Sequence, residues 1–236
     1  MVKIGIFGLE NIFSGTKAAV ADKRIDKLKD LFKSAKKVYI ETELIYEQAN
    51  LSEADGIIIN KDSKLDLILS DLEFVETRLS RTEDRGEKEL LARFKISLEK
   101  EEFLSFEPLN DAEKKIIAPF QLFTIRPIYL VDTSKEVDKD AILLNAYNEF
   151  GYISFFTVGD KDSHGWPLKK GLTAWDAAGV IHSDIQRGFI RAEVVHYDDL
   201  IKAGHLNEAR NNGLLKLENK EYVVQDGDWM LFRFNK

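Results

Sequence analysis

Cysteine is absent from these 236 residues, and histidine occurs only four times. The first absence excludes a disulfide framework and any thiolate metal site, and four scattered histidines do not make a zinc cluster. No run of eighteen or more apolar residues is present, so no stretch reads as a membrane-spanning helix, and the opening MVKIGIFGL reads as a strand rather than a signal peptide. Excess positive charge is missing too. A formal net charge of -7 excludes broad, non-specific affinity for nucleic acid, which rests on neutralising phosphates, and leaves room only for a local basic patch. The expectation is a soluble, cytoplasmic protein of one large or two modest domains, each able to bury its own core.

The last third of the chain carries the densest pattern. Thr173 followed three residues later by Asp176 is a capping box that opens a short helix. Phe189 to Tyr197 alternates apolar and charged residues as a half-buried strand does. Asp226-Gly227, between two β-rich runs, reads as a hairpin turn. These elements describe a small α+β module. Its sequence from Ile153 to Asn235 resembles the C-terminal TGS-type, β-grasp domain of the YchF (Obg-like) ATPases. The resemblance is carried by AAGVIHSD from residue 177, GFIRAEV from 188, YDDL from 197 and KEYVVQDGDWMLFRF from 220. In that family the module follows a G domain, so the resemblance implies an α/β class: a parallel P-loop-NTPase-like sheet over residues 1–150, then a β-grasp domain over 151–236.

The N-terminal half departs from the family where a nucleotide would bind. Lys3 to Gly8 is a first strand delivering the chain to a glycine loop, where a phosphate loop would read G-x-x-x-x-G-K-[ST]. Here the chain reads GLENIFSGTK. Phe13 stands where the second glycine belongs, Ser14 where the lysine belongs and Gly15 at the serine position, while Lys17 lies three places late. Gly8, Asn11, Gly15, Thr16 and Lys17 are the remnant of a nucleotide site. After Thr16 the chain passes at once to VADKRIDKLKDLF, which in the family comes beyond a helix and the first switch loop. Asp22 to Phe32 reads as a helix capped by Asp22, with Ile25, Leu28, Leu31 and Phe32 on one face.

Val38 to Tyr46 reads as the next strand, and at its end the family's Asp-x-x-Gly switch positions hold Tyr46 and Ala49. Gly56 to Ile59 fits a buried strand of a parallel sheet. It ends in Asn60-Lys61-Asp62-Ser63, a polar turn that only imitates a guanine-reading motif. From Leu65 the period becomes helical: Leu65, Ile68, Leu69, Leu72, Val75 and Leu79 form one stripe and Leu90, Leu91, Phe94 and Leu98 another, joined by a turn at Asp84-Arg85-Gly86. The pair resembles the family's helical hairpin, expected at about residues 64–100 with solvated outer faces. Asn110 and Glu113 form a second capping box, opening a helix towards Phe123, and RPIYLVD from 126 reads as a strand. The family's base-reading asparagine falls on Thr133, with Glu136 left beside it. A helix from about Asp138 to Phe150 leads into the C-terminal module.

With the phosphate-loop lysine, the switch and the base-reading amide all missing, the expectation is a pseudo-NTPase. It has no catalytic residues, no metal site and no cofactor; the alternative is weak residual binding and hydrolysis of ATP or GTP with magnesium. By resemblance the role is regulatory binding, to the ribosome or another translation component, with a structural partner subunit as a further alternative. In the C-terminal module His182, Asp184, Arg187 and Arg191 are candidates for binding a small phosphorylated ligand or RNA. The plainer reading is a capped turn plus an Arg191–Glu193 cross-strand pair. Trp166, Trp175 and Trp229 could stack on bases but read first as core. His164 replaces an arginine of the family.

Overall fold

The computed structural model describes residues 1–235. Apolar VKIGIF forms β1 (Val2–Phe7), and a turn-containing loop then enters β2 (Lys17–Val20). There follow α1 (Arg24–Phe32), β3 (Lys36–Val38), β4 (Ile40–Ile45) and β5 (Gly56–Asn60). Next come the helical pair α2 (Lys64–Arg81) and α3 (Arg85–Glu99), then α4 (Asp111–Ile117) and β6 (Ile128–Val131). After α5 (Lys139–Glu149) the chain forms β7 (Tyr152–Val158), β8 (Asp162–Lys169), α6 (Ala174–Ile181), α7 (Ser183–Arg187) and β9 (Phe189–His196). It ends with α8 (Tyr197–Ala203), α9 (Leu206–Asn211), β10 (Lys216–Glu218) and β11 (Asp228–Phe234).

Two compact units result. The first comprises residues 1–18 and 42–142. Its sheet has the order β2-β4-β1-β5-β6, with β1 parallel to β4 and β5, and β5 parallel to β6. Ile57, Ile58 and Ile59 are all buried, as a strand covered on both faces requires. The hairpin forms where expected, with Val75, Leu90, Leu91, Phe94 and Leu98 in one cluster. Two details differ from the periodic reading. Leu65 and Leu69 are 46% and 58% exposed, and the inward place goes to Asp71, 1% exposed. Its carboxylate accepts the Phe123 N–H (2.9 Å), the Thr124 N–H (2.7 Å) and the Thr124 hydroxyl (2.6 Å), so the buried charge is satisfied by three donors. Asp84 is the N-cap of α3, accepting the Glu87 N–H at 2.8 Å, so Arg85 and Gly86 belong to the helix rather than to the turn. The Asn110/Glu113 capping box is present, but its helix ends at Ile117, short of Phe123.

The second unit comprises residues 19–41 and 143–236. Its sheet has the order β10-β9-β11-β7-β8-β3. On one face α6 brings Ala174 and Ala177 against Ile153, Phe155, Val194 and Met230. A second cluster joins Ile25 and Leu28 of α1 to Phe156, Val195, Leu200 and Trp229. The segment read as a single strand from Val38 to Tyr46 is therefore split. β3 pairs with β8 in parallel register, Lys36 opposite Asp162 and Val38 opposite His164, whereas β4 pairs with β1. A single boundary at residue 150 describes the chain less well than two interleaved units, because the apolar face of α1 is buried in the core of the second. The Asp226-Gly227 turn is not a two-strand hairpin either. β11 pairs with β9 and β7, while the Asp226 carboxylate accepts the Ser154 N–H at 2.9 Å and binds Arg24.

Arg24 is the polar counterpart of that buried face. Its guanidinium donates to Asp226 at 2.8 Å and to Asp22 at 2.7 Å, and lies 5.2 Å from the centre of the Phe156 ring. Asp22 also accepts the Arg24 N–H at 3.0 Å, but α1 begins at Arg24 with Lys23 at its N-cap and no side-chain cap hydrogen bond. The cap expected at Asp22 is therefore not formed, and its carboxylate serves mainly as the partner of the Arg24 guanidinium. The architecture is the α/β class expected: a parallel sheet with a helical hairpin, and a β-grasp-like module.

Candidate functional site

The loop after β1 holds the nucleotide remnant. Gly8 has φ of 67°, a left-handed conformation, and a Cβ there would meet the Ser63 hydroxyl at 2.5 Å, so glycine is required by space as well as by backbone. Its N–H donates to the Glu10 carboxylate at 3.1 Å. The N–H groups of Ile12 and Phe13 both donate to the Leu9 carbonyl, at 2.9 and 3.0 Å. In a phosphate loop such amides converge on an anion at a helix N-terminus. Here three are used internally, and the loop leads to the strand β2 instead of a helix.

The side chains complete the change. Leu9 and Phe13 are buried, and Lys139 lies over the Phe13 ring with its ammonium 5.5 Å from the centroid. The residue that displaces the second glycine thus packs into the first unit. Asn11, Gly15, Thr16 and Lys17 are exposed. The Thr16 carbonyl accepts the Leu44 N–H at 2.9 Å, and Lys17 opens β2. Tyr46, at the first switch position, has a buried hydroxyl without a hydrogen-bond partner, and burial together with the Glu10 charge pushes its phenol up. Ala49 lies in a short 3-10 segment. Beyond β6, Asp132 accepts the Ser134 N–H at 3.1 Å in a tight turn around Thr133. Asn60 accepts the Asp62 N–H at 3.2 Å, the polar turn expected there.

The second candidate lies wholly in the C-terminal unit. His182, Asp184 and Arg187 line an open groove of about 760 Å³ together with Ile185, Gly188 and Phe234. Arg187 donates to Asp184, a hydrogen bond that holds this carboxyl below its ordinary range. The His182 ring nitrogen Nδ1 accepts the Asp184 N–H at 3.1 Å, capping α7. Arg191 is not among the lining residues, and it faces Arg233 in the β9–β11 register. Nor does it pair with Glu193, which is bound instead by Arg233 and, at 3.0 Å, by Arg210. The expected capped turn is present, whereas the expected Arg191–Glu193 pair is replaced by arginines that periodicity did not single out. Of the tryptophans, Trp229 is core, Trp166 is part-buried and stacked on His164 with ring centres 3.8 Å apart, and Trp175 is exposed. Among the described residues no three His, Asp or Glu side chains group so as to hold a metal, and no helix is long and apolar enough to cross a membrane.

A parallel sheet that opens on a glycine loop and carries a helical hairpin, followed by a β-grasp-like module, defines the class: a P-loop-NTPase-like domain with a C-terminal ubiquitin-like partner. Residues 152–235 match the family model YchF-GTPase_C, described as a protein of unknown function. The ribosome-binding ATPase YchF of Bacillus subtilis is 32% identical over an alignment covering 72% of this chain and 64% of that protein. The Obg-like ATPase homolog of Saccharomyces cerevisiae is 45% identical over 39% of this chain and 24% of that protein. The solved YchF GTPase of Schizosaccharomyces pombe superposes with a TM-score of 0.76 at 19% identity, covering 98% of this chain and 97% of that one. The chain is similar to the YchF, or Obg-like ATPase, family, and its residues 152–235 match that family's C-terminal model. It spans less than two thirds of the length of the curated relatives first matched.

Proposed function

We propose that this chain is a non-hydrolysing member of the YchF family that acts by binding, with the ribosome or another translation component as its partner. One observation carries the first half: the Gly8 loop is occupied by its own chain. Its amides serve Glu10 and Leu9, Phe13 is buried, and a strand stands where a helix should present further N–H groups. Each missing charge-assisted hydrogen bond to a phosphate forfeits about 1.5 to 3 kcal/mol, so the absence of several lowers affinity by orders of magnitude. The B. subtilis relative is named for ribosome binding, and the module that this chain shares with its relatives supports the same role here.

Titration with ATP and with GTP in the presence of magnesium is expected to give neither heat nor a thermal shift, while the protein co-sediments with ribosomes at low salt. Micromolar nucleotide binding would reverse the first half; a folded protein absent from the ribosomal pellet would reverse the second. The relatives' description as ATPases favours one other reading, slow hydrolysis with Thr16 on magnesium and Lys17 recruited to the phosphates. Single-turnover hydrolysis lost in Thr16→Ala would establish it.

A further inference from the structure

The groove beside α7 adjoins a second cavity, with which it shares two lining residues. Its wide end carries the polar side chains His182, Asp184 and Arg187 beside Ile185 and Phe234. The last two residues also belong to a second lobe of about 300 Å³, where Ile181, Met230 and Phe232 form apolar walls. A concavity of several hundred Å³, mostly apolar with a few polar groups gathered at one end, has the make-up of a small-molecule site.

The charges at the polar end select among ligands. Arg187 is balanced by Asp184, with which it is hydrogen-bonded, so a phosphate dianion would meet a carboxylate as readily as a guanidinium. His182 accepts the Asp184 N–H on Nδ1, so its neutral ring carries a proton on Nε2 and adds a donor there. Donors for an anion and an acceptor for a cation therefore stand side by side. A ligand that satisfies both carries a carboxylate and an ammonium on one carbon, with an apolar tail for the second lobe.

We propose that this groove binds a free α-amino acid with a large apolar side chain. Arg187 and His182 take its carboxylate, Asp184 takes its ammonium, and the side chain passes between Ile185 and Phe234 into the lobe floored by Met230. Opening the Asp184–Arg187 pair costs little, because both side chains are mostly exposed and an ion pair in water contributes little. Phe234, 37% exposed, is covered when the site fills. All of these residues lie within the second unit, so the site stands independently of the fate of the Gly8 loop.

The full chain is titrated with L-phenylalanine and L-leucine by calorimetry and by amide chemical shifts. Glycine tests the head group alone, 3-phenylpropionate the tail without ammonium, and inorganic phosphate the anion. At least one of the two apolar amino acids is expected to saturate at millimolar concentrations or below, shifting amides of residues 182–188 and 230–235. Glycine and 3-phenylpropionate should bind at least about tenfold more weakly, and Asp184→Asn and Arg187→Gln should each weaken the amino acid by a similar factor. Both substitutions are at the surface, and an unchanged melting temperature verifies the fold. The proposal is overturned if neither amino acid shifts these amides, if 3-phenylpropionate binds as well as phenylalanine, or if phosphate is the ligand that saturates the groove.

Discussion

The loop after β1 and the groove beside α7 both lie where a chain leaves regular structure with polar groups to satisfy, and they have been treated in opposite ways. At the loop the chain supplies its own ligand: Glu10 takes the Gly8 amide, and Phe13 is buried. At the groove the polar groups are satisfied locally, His182 by the Asp184 amide and Asp184 by Arg187, yet a cavity remains open between them and the sheet. A nucleotide loop depends on amides that stay unpaired until the ligand arrives. Once β2 replaces the following helix, those amides need partners within the protein. A groove formed between α7 and β11 makes no such demand, because its walls are already hydrogen-bonded in helix and sheet.

The largest test concerns which residues make up each region. The family match covers 152–235, which looks self-contained. However, Ile25 and Leu28 are fully buried in the same cluster as Phe156 and Trp229. A fragment of residues 143–236 is expected to lose its cooperative melt and its near-UV circular dichroism, and a version in which residues 19–41 are joined to its N-terminus to regain both. Cooperative unfolding of the shorter fragment at full stability would return α1 to the N-terminal unit.

Next in size is Phe13→Ala, expected to destabilise the first unit by about 3 to 5 kcal/mol in urea unfolding, as removal of a buried aromatic ring does. The paired change Phe13→Gly with Ser14→Lys restores the second glycine and the lysine of the phosphate loop. It is expected to leave ATP and GTP unbound, since the chain still enters β2. A nucleotide-induced rise in melting temperature for that double variant would show that those two residues alone, not the path of the backbone, had closed the site. Smaller again is Arg24→Gln, which strands the nearly inaccessible Asp22 and frees Asp226. Because the guanidinium and Asp226 are partly solvated, the expected loss is about 2 kcal/mol, read as a shift in the urea midpoint of the second unit.

What the sequence disclosed was local. The capping boxes at Asn110 and Thr173, the buried run of β5 and the hairpin all follow from spacing over a few residues, and each formed, with Leu65 and Leu69 of the hairpin stripe turned outward. What it concealed depends on partners far along the chain. Asp226 was legible as a turn residue but not as a ligand of Arg24, 202 positions earlier. The register at Phe13 disclosed that a glycine was lost; that the ring would be buried depends on which way the loop folds. Asp71 occupies an inward position amid a stripe of leucines, because buried backbone at Phe123 and Thr124 needed an acceptor. The groove had a partial signal in His182, Asp184 and Arg187, whereas its apolar half comes from β11 and could not be joined to them by spacing.

The smallest effect separates the regions by pH. Glu193 is buried on β9 between Arg233 and Arg210, and the Arg233 hydrogen bond, with further help from Arg210, holds its carboxyl below the ordinary 4.5 despite the opposing effect of burial. A carboxyl depressed in the folded state adds stability above its unfolded pKa, and that stability is lost as the pH falls through the folded value. Both arginines are more than half exposed, so the contribution is about 1 kcal/mol after solvent screening. Glu193→Gln should therefore lower the urea midpoint of the second unit at pH 7, and the gap from the unaltered protein should close as the pH drops below about 4. A gap that stays constant from pH 7 to acid would mean that the glutamate holds its two arginines by shape and hydrogen bonding alone, with no charge in the balance.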